Sequence, residues 1–374
     1  MNSPKVYEVI IVGGGLAGLT SAIHLSKQGI DVLLIEKHPY PRHKVCGEYV
    51  SNEVLSYLAS LEIDPFKKGA VAISKFQIST KNGAVAHAKL PLGGFGMSRY
   101  ALDLLLYEKI KDSIDVIFDQ VEEIDFQDNQ FSVSTLSKDS FTAHFVIGAF
   151  GKRSNIDISL KRNFIEQRSS WLAVKGHYNY DFPNDTVALH NFDGGYCGLS
   201  KTESDIVNAC YLVKYDTFKK SSGIDEFQKS EMSKNPLLKD FFNNASPVFS
   251  RPLTIAQVSF SAKEPINNHI FMVGDSAGLI HPLCGNGMAM AIHGAKIISE
   301  LLVSALKAET WDRTHIEFEY LKEWKRTFKS RLYYGRMLQR LLLHKEISHW
   351  GVQFVKNFPV IIPKLICKTH GTTF

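Results

Sequence analysis

Residues 6–36 read VYEVIIVGGGLAGLTSAIHLSKQGIDVLLIE, and this stretch constrains the fold more tightly than any other. The apolar run from Val9 to Val12 has the composition of a buried parallel strand. It ends in Gly13-Gly14-Gly15-Leu16-Ala17-Gly18, a fit to G-x-G-x-x-G. A helix follows with apolar residues at Leu16, Leu19, Ile23 and Leu25. A second strand, Asp31 to Ile35, ends at Glu36, with Lys37 next in line. Each glycine has a distinct job. Gly13 allows the tight turn, Gly15 lets the backbone approach a pyrophosphate, and Gly18 lets helix and strand pack closely. Free N–H groups at the helix start favour phosphate. Glu36 can accept hydrogen bonds from a ribose diol, and its charge repels a 2′-phosphate. The spacing predicts a βαβ unit that binds a dinucleotide. The bland alternative is a glycine turn in an ordinary α/β protein.

A second stretch separates NAD from FAD. Residues 271–287 read FMVGDSAGLIHPLCGNG. A strand, Ile270 to Val273, runs into Gly274-Asp275. A loop rich in glycine and proline leads through Gly285 and Gly287 to a helix opening near Asn286, with Met288 in its first turn. An acid at a strand end can hold the ribityl hydroxyls of a flavin. The helix N-terminus puts its positive end where a reduced flavin ring is anionic. This stretch resembles the second FAD motif of the glutathione-reductase-type flavoproteins. Together with Pro41-Arg42-His43-Lys44-Val45-Cys46-Gly47-Glu48, it is similar to the geranylgeranyl reductase family. That family sits beside the single-component aromatic hydroxylases (group A monooxygenases) and the flavin halogenases. The matching motifs span the first 155 residues and residues 252–310.

The resemblance implies an α/β chain. It would have a Rossmann-like FAD-binding domain of glutathione-reductase type, an inserted antiparallel β-sheet substrate domain and C-terminal helices. Residues 1–70, 96–164 and 252–310 are assigned to the FAD domain. Residues 71–95, which turn at Asn82-Gly83, and the strand-rich 165–251 are assigned to the sheet domain, and 311–374 to the helices. Cofactor contacts are implied at Gly13, Gly15, Leu16, Ala17, Gly18, Glu36, Lys37, Arg42, Cys46, Gly47, Arg99, Val121, Gly274, Asp275, Gly285, Gly287 and Met288. Arg99 has a competing reading, an ion pair with Asp103 four residues on. Lys44 is either a further cofactor contact or surface charge.

Two residues are candidates for acid chemistry. Cys46 lies in the segment that borders the flavin ring in the resembling reductases. It is either a proton donor or a small packing residue. His281, in the second flavin loop, is either a general acid or a loop-stabilising hydrogen-bond partner. A redox pair of Cys46 with Cys284 is a remoter reading. The other histidines show no ligand spacing, and the five cysteines form no C-x-x-C pair, so no metal is expected. Tyr196 matches the tyrosine of the family's substrate motif. Gly198 and Leu199-Ser200 depart from the rest of that motif, which counts against a long polyprenyl substrate. Phe150-Gly151 stands where the aromatic hydroxylases have Asp-Gly, and Trp171 lacks the halogenases' second tryptophan.

These readings leave two chemistries on an apolar, isoprenoid or polyketide-like molecule. One passes hydride from flavin N5 to a C=C bond. The other lets reduced flavin meet oxygen at C4a and inserts one oxygen atom. A lipid or protein binder without turnover is a third class. There is no second glycine-rich fingerprint, so NAD(P)H is expected as a transient donor at most, or another donor serves.

Composition sets the surroundings. No apolar run approaches 18 residues, so no transmembrane helix is expected. Scattered cysteines and the lack of a leader pattern suggest a cytoplasmic setting. Residues 321–368 hold eleven Lys/Arg against two Glu. That excess suggests either a basic face for anionic lipid or an acidic partner, or simply a solvated face. No nucleic-acid motif accompanies it. Leu332, Tyr333, Met337, Leu338, Leu341 and Leu342, with Trp350 and Phe354 nearby, suggest an amphipathic helical region. Nothing in the sequence sets an oligomeric state.

Overall fold

A computed structural model of the chain describes residues 5–167, 169–343 and 361–374. Trp350 and Phe354 lie outside the described residues. The chain opens with β1 (Val6–Val12), α1 (Leu16–Lys27) and β2 (Val32–Ile35). It continues through β3 (Tyr49–Ser51), α2 (Leu55–Ser60), the hairpin β4 (Val71–Ser79) and β5 (Val85–Gly96), and α3 (Arg99–Ile110). Four strands follow: β6 (Asp115–Ile117), β7 (Val121–Gln127), β8 (Gln130–Thr135) and β9 (Ser140–Gly148). After α4 (Asn155–Ser159) come β10 (Trp171–Asn179), β11 (Thr186–Phe192), β12 (Gly195–Lys201) and β13 (Val207–Lys214). Short helices α5 (Tyr215–Phe218), α6 (Ile224–Ser230) and α7 (Pro236–Asn244) precede β14 (Ser246–Pro247), β15 (Leu253–Ala256), β16 (Ile266–Asn267) and β17 (Ile270–Met272). Helices α8 (Gly287–Leu306), α9 (Arg313–Leu343) and α10 (Ile361–Thr369) complete the described chain.

The first sheet has the order β16-β17-β9-β1-β2-β6, with β8 also paired to β9 and β7 to β8. β1 pairs parallel with both β2 and β9. All four residues of β2 are buried, as expected of a strand covered on both faces. α1 packs on one side, and its glycine-rich start is enforced by contact. A Cβ at Gly18 would lie 1.9 Å from the Gly13 carbonyl oxygen. Gly13 itself has φ +104°, a conformation that side chains resist.

The second sheet has the order β14-β10-β13-β12-β11-β4-β5-β3, with β15 also on β10. It is not wholly antiparallel, because β11 runs parallel to β4. The chain enters this sheet on separate passes, so neighbouring strands need not be joined by a hairpin. Two further assignments are corrected. β3 pairs with β5, and β15 pairs with β10, so both belong to the second sheet although they fall in stretches assigned to the FAD domain. Each is short, and its partner lies far away in sequence.

The helices bring two more corrections. α8 is 20 residues long with mean hydropathy 1.4, long and apolar enough to cross a membrane. His293, Lys296 and Glu300 interrupt its apolar run, which hides it in the sequence. More than half of its apolar window is buried, and it packs between α1 and α9 as a core helix. Along α9 the buried face is Tyr320, Trp324, Phe328 and Leu332, while Tyr333 is 60% exposed. Spacing of four fixes that face, and Tyr333 sits a full 100° away from Leu332.

Candidate cofactor and substrate site

One cavity of about 940 Å³ runs from the glycine turn of β1–α1 to the second sheet. At one end it is walled by Gly13, Gly15, Leu16 and Ala17. A Cβ on Gly15 would meet only the Arg99 guanidinium, at 3.8 Å, so it would project into the space a pyrophosphate needs. Glu36 is buried and lines this end. Its carboxylate accepts from the Gly14 N–H at 2.7 Å and the His38 N–H at 3.2 Å, and it lies 3.9 Å from Arg42. The carboxylate thus ties the end of β2 to the glycine turn as well as facing the cavity. Lys37, Arg42 and Val121 share this wall.

The ion-pair reading of Arg99 is formed. Its guanidinium donates to the two oxygens of Asp103 at 2.7 and 2.8 Å, and the residue lines the cavity. Asp103 is fully buried and also accepts from Lys44 at 2.8 Å. Burial raises the Asp103 carboxyl, but the Arg99 and Lys44 charges outweigh it and hold it below the usual range. With two cations on one carboxylate, the cluster keeps one excess positive charge at the cavity wall.

The second flavin loop forms the opposite wall. Gly274, Asp275, Gly285, Gly287 and Met288 line the cavity, the last two at the start of α8. Buried cations support this loop from behind. Lys263 donates to the Asp275 carbonyl at 2.7 Å and to the Lys152 carbonyl at 2.8 Å. Arg162 donates to the Ser276 carbonyl at 3.0 Å and to Asp157 at 2.8 Å. Burial pulls the Lys263 ammonium down to about 8, against the charges of Asp157 and Asp275.

Cys46 and Gly47 line the cavity where the two sheets meet. Polar side chains of the second sheet clamp this segment. Asn208 donates to the Cys46 carbonyl at 3.2 Å, and Ser200 to the Gly47 carbonyl at 3.4 Å. Glu48, fully buried at φ +55°, accepts from Lys175, from His177 at 2.7 Å and from the Arg99 N–H at 2.7 Å. Burial raises the Glu48 carboxyl, yet His177 and Lys175 together keep it below the ordinary value. His43 joins Glu48 and His177 in a cluster with ligand atoms within 4.8 Å of one another. Lys175 holds the same carboxylate and sets a fixed positive charge there, which favours a hydrogen-bonded network over a cation site. The sequence reading missed Lys175, His177, Ser200 and Asn208. Their signal is the polar residue inside an apolar strand, as in WLAVKGHYN.

Beyond Cys46 the cavity becomes apolar. Ile78, Leu189, Tyr196, Leu212, Leu279 and Ile366 are among its walls. Tyr196 is thus one wall of the chamber. Cys284 also lines it, and its thiol is pushed up to about 12 by burial. No pairing of Cys284 with Cys46 is formed. His281 is placed differently from expectation. It is buried against Trp171, Tyr196 and Phe260, outside the cavity walls, and burial drops its imidazole to about 3. Its Nδ1 accepts from the Leu283 N–H at 3.4 Å, which is the loop-stabilising role rather than that of an acid.

A βαβ dinucleotide cradle thus opens into an apolar chamber. The chain belongs to the FAD binding domain family, whose profile matches residues 117–317, more than half of the chain. A profile for FAD dependent oxidoreductases matches residues 8–130. The chain is 26% identical over 367 residues to a digeranylgeranylglycerophospholipid reductase of Methanococcus vannielii, covering 90% of this chain and 87% of the relative. The flavin-dependent brominase Bmp2 shares the fold at TM-score 0.77 and 16% identity, over 98% of this chain and 95% of that one. PqsL of Pseudomonas aeruginosa, a probable FAD-dependent monooxygenase, does so at TM-score 0.74 and 16% identity, over 93% and 99%. The protein is an FAD-dependent oxidoreductase, and the Gly15 cradle fits that cofactor.

Proposed function

We propose that the protein reduces a C=C bond of an apolar small molecule. The observation that carries this reading is the continuity of the cofactor cradle with the apolar chamber, with Cys46 at the junction. Gly13 to Gly18, Glu36, Arg42, Arg99, Asp275 and Gly285 to Met288 would hold FAD. When bound and reduced, that cofactor supplies a hydride. The chain's own part is to bind, dry and protonate. Tyr196, Leu189 and Leu212 exclude water from the substrate. The Cys46 thiol carries the proton that completes addition of H⁻ and H⁺ across the double bond, leaving a thiolate that is reprotonated from solvent. The clamp from Ser200, Asn208 and Glu48 fixes the backbone that carries this thiol. Electrons are proposed to come from NAD(P)H bound transiently.

Oxygen insertion is the second reading. The match to PqsL favours it at the level of fold, and a dry chamber suits it equally. Anaerobic photoreduction followed by mixing with a short isoprenoid alcohol such as geraniol separates the two. The reductase reading expects return of the oxidised flavin spectrum and a product heavier by two hydrogens. No anaerobic reoxidation, with a hydroxylated product once oxygen is admitted, would overturn it.

A further inference from the structure

The outward face of α9 carries an ordered set of residues. At 100° per residue, Lys322, Lys325, Lys329, Arg336 and Arg340 fall within an arc of about 80°. Phe318 and Tyr333 fall in the same arc, 61% and 60% exposed, the most exposed large apolar side chains among the described residues. No acid lies in it. Glu319 and Glu323 sit beside the arc, paired with Lys322 and Arg326. Arg331 is turned the other way, inward onto Glu53. From Phe318 to Arg340 the stripe is about 33 Å long.

A second helix packs on the other side of α9. Lys364 and Lys368 of α10 are exposed, and the Lys368 ammonium lies 5.8 Å from the Tyr334 ring of α9. The opposite side of α10 presents Ile362, Leu365 and Ile366 to the apolar chamber. α9 itself reaches the chamber through Leu338, so the helix that carries the stripe also walls the chamber.

We propose that the α9 stripe rests on an anionic lipid surface, from which the chamber takes its substrate. Cations spaced along a helix attract anionic headgroups, and aromatic rings between them settle at the headgroup boundary. Lipid is favoured over an acidic protein because two exposed aromatic rings share the arc with the charges and the chamber behind α9 is apolar. The delivery step rests on the apolar-substrate reading above. The surface contact is read without turnover, so either can fail alone.

The test is sedimentation of the FAD-loaded protein with phosphatidylcholine vesicles, with and without phosphatidylglycerol, at low and high salt. Binding is expected only to the anionic vesicles, with loss at high salt. The variant K325E/K329E/R336E/R340E should bind at least tenfold more weakly while retaining its flavin spectrum. A charge-matched variant on other surfaces, K67E/K68E/K89E/K220E, should bind as the wild type does. No binding to anionic vesicles at low salt overturns the proposal, as does equal loss in both variants. Binding to polyglutamate without binding to vesicles also overturns it, in favour of an acidic protein.

Discussion

At the residue scale, Glu36 does two jobs with one carboxylate. It closes the glycine turn through the Gly14 N–H and faces the cofactor cradle. Glu36→Ala removes charge-assisted hydrogen bonding worth about 1.5–3 kcal/mol to the cofactor. FAD affinity, followed by flavin fluorescence, should therefore fall by roughly ten- to a hundredfold. Unchanged affinity would remove Glu36 from the cofactor. Cys46 is tested through chemistry. Cys46→Ala should still take electrons into the flavin and lose about 10²–10⁴ in product formation, with partial recovery in Cys46→Ser. Equal turnover in all three proteins would leave Cys46 a packing residue.

At the element scale, a buried latch fastens α10. Glu53 is fully buried and accepts from Arg331 at 3.2 Å, Asn286 at 3.1 Å and the Gly371 N–H. Phe374 stacks on His293 at 3.7 Å just beyond. Arg331→Met leaves Glu53 buried without its cation, which should cost about 3–5 kcal/mol. Hydrogen exchange should rise first in residues 361–371, and a denaturation midpoint equal to the wild type would contradict the latch. The βαβ unit was legible in the sequence because its constraints are local: Gly13, Gly18 and Glu36 all act within 31 residues. The clamp on Cys46 was not, since Glu48 meets Lys175 and His177 across 127 and 129 residues. His281 misled for a related reason. Proline and glycine marked its loop as one bordering the flavin, but side-chain direction within a loop depends on rings brought from β10 and β12.

For the whole molecule, buried neutral histidines weaken the fold in acid. Burial lowers His190 to about 4 and His281 to about 3, from 6.5. The unfolded chain binds protons that these rings refuse in the fold, so stability falls as pH drops below 6.5. By pH 5 each ring costs about 2 kcal/mol. Urea midpoints at pH 7 and pH 5 should differ accordingly, and His281→Gln should reduce the difference. Equal midpoints would mean that the rings are hydrated.

The order of strands has a consequence for how such a protein can change. The chain leaves the first sheet after β2, returns after β5, leaves again after β9 and comes back after β15. The substrate-facing sheet is thus stitched into the cofactor sheet rather than appended to it. It cannot be cut out as a cassette, expressed alone or exchanged for another by recombination at a single junction. New substrates must be acquired side chain by side chain, within a cavity whose walls come from every part of the gene.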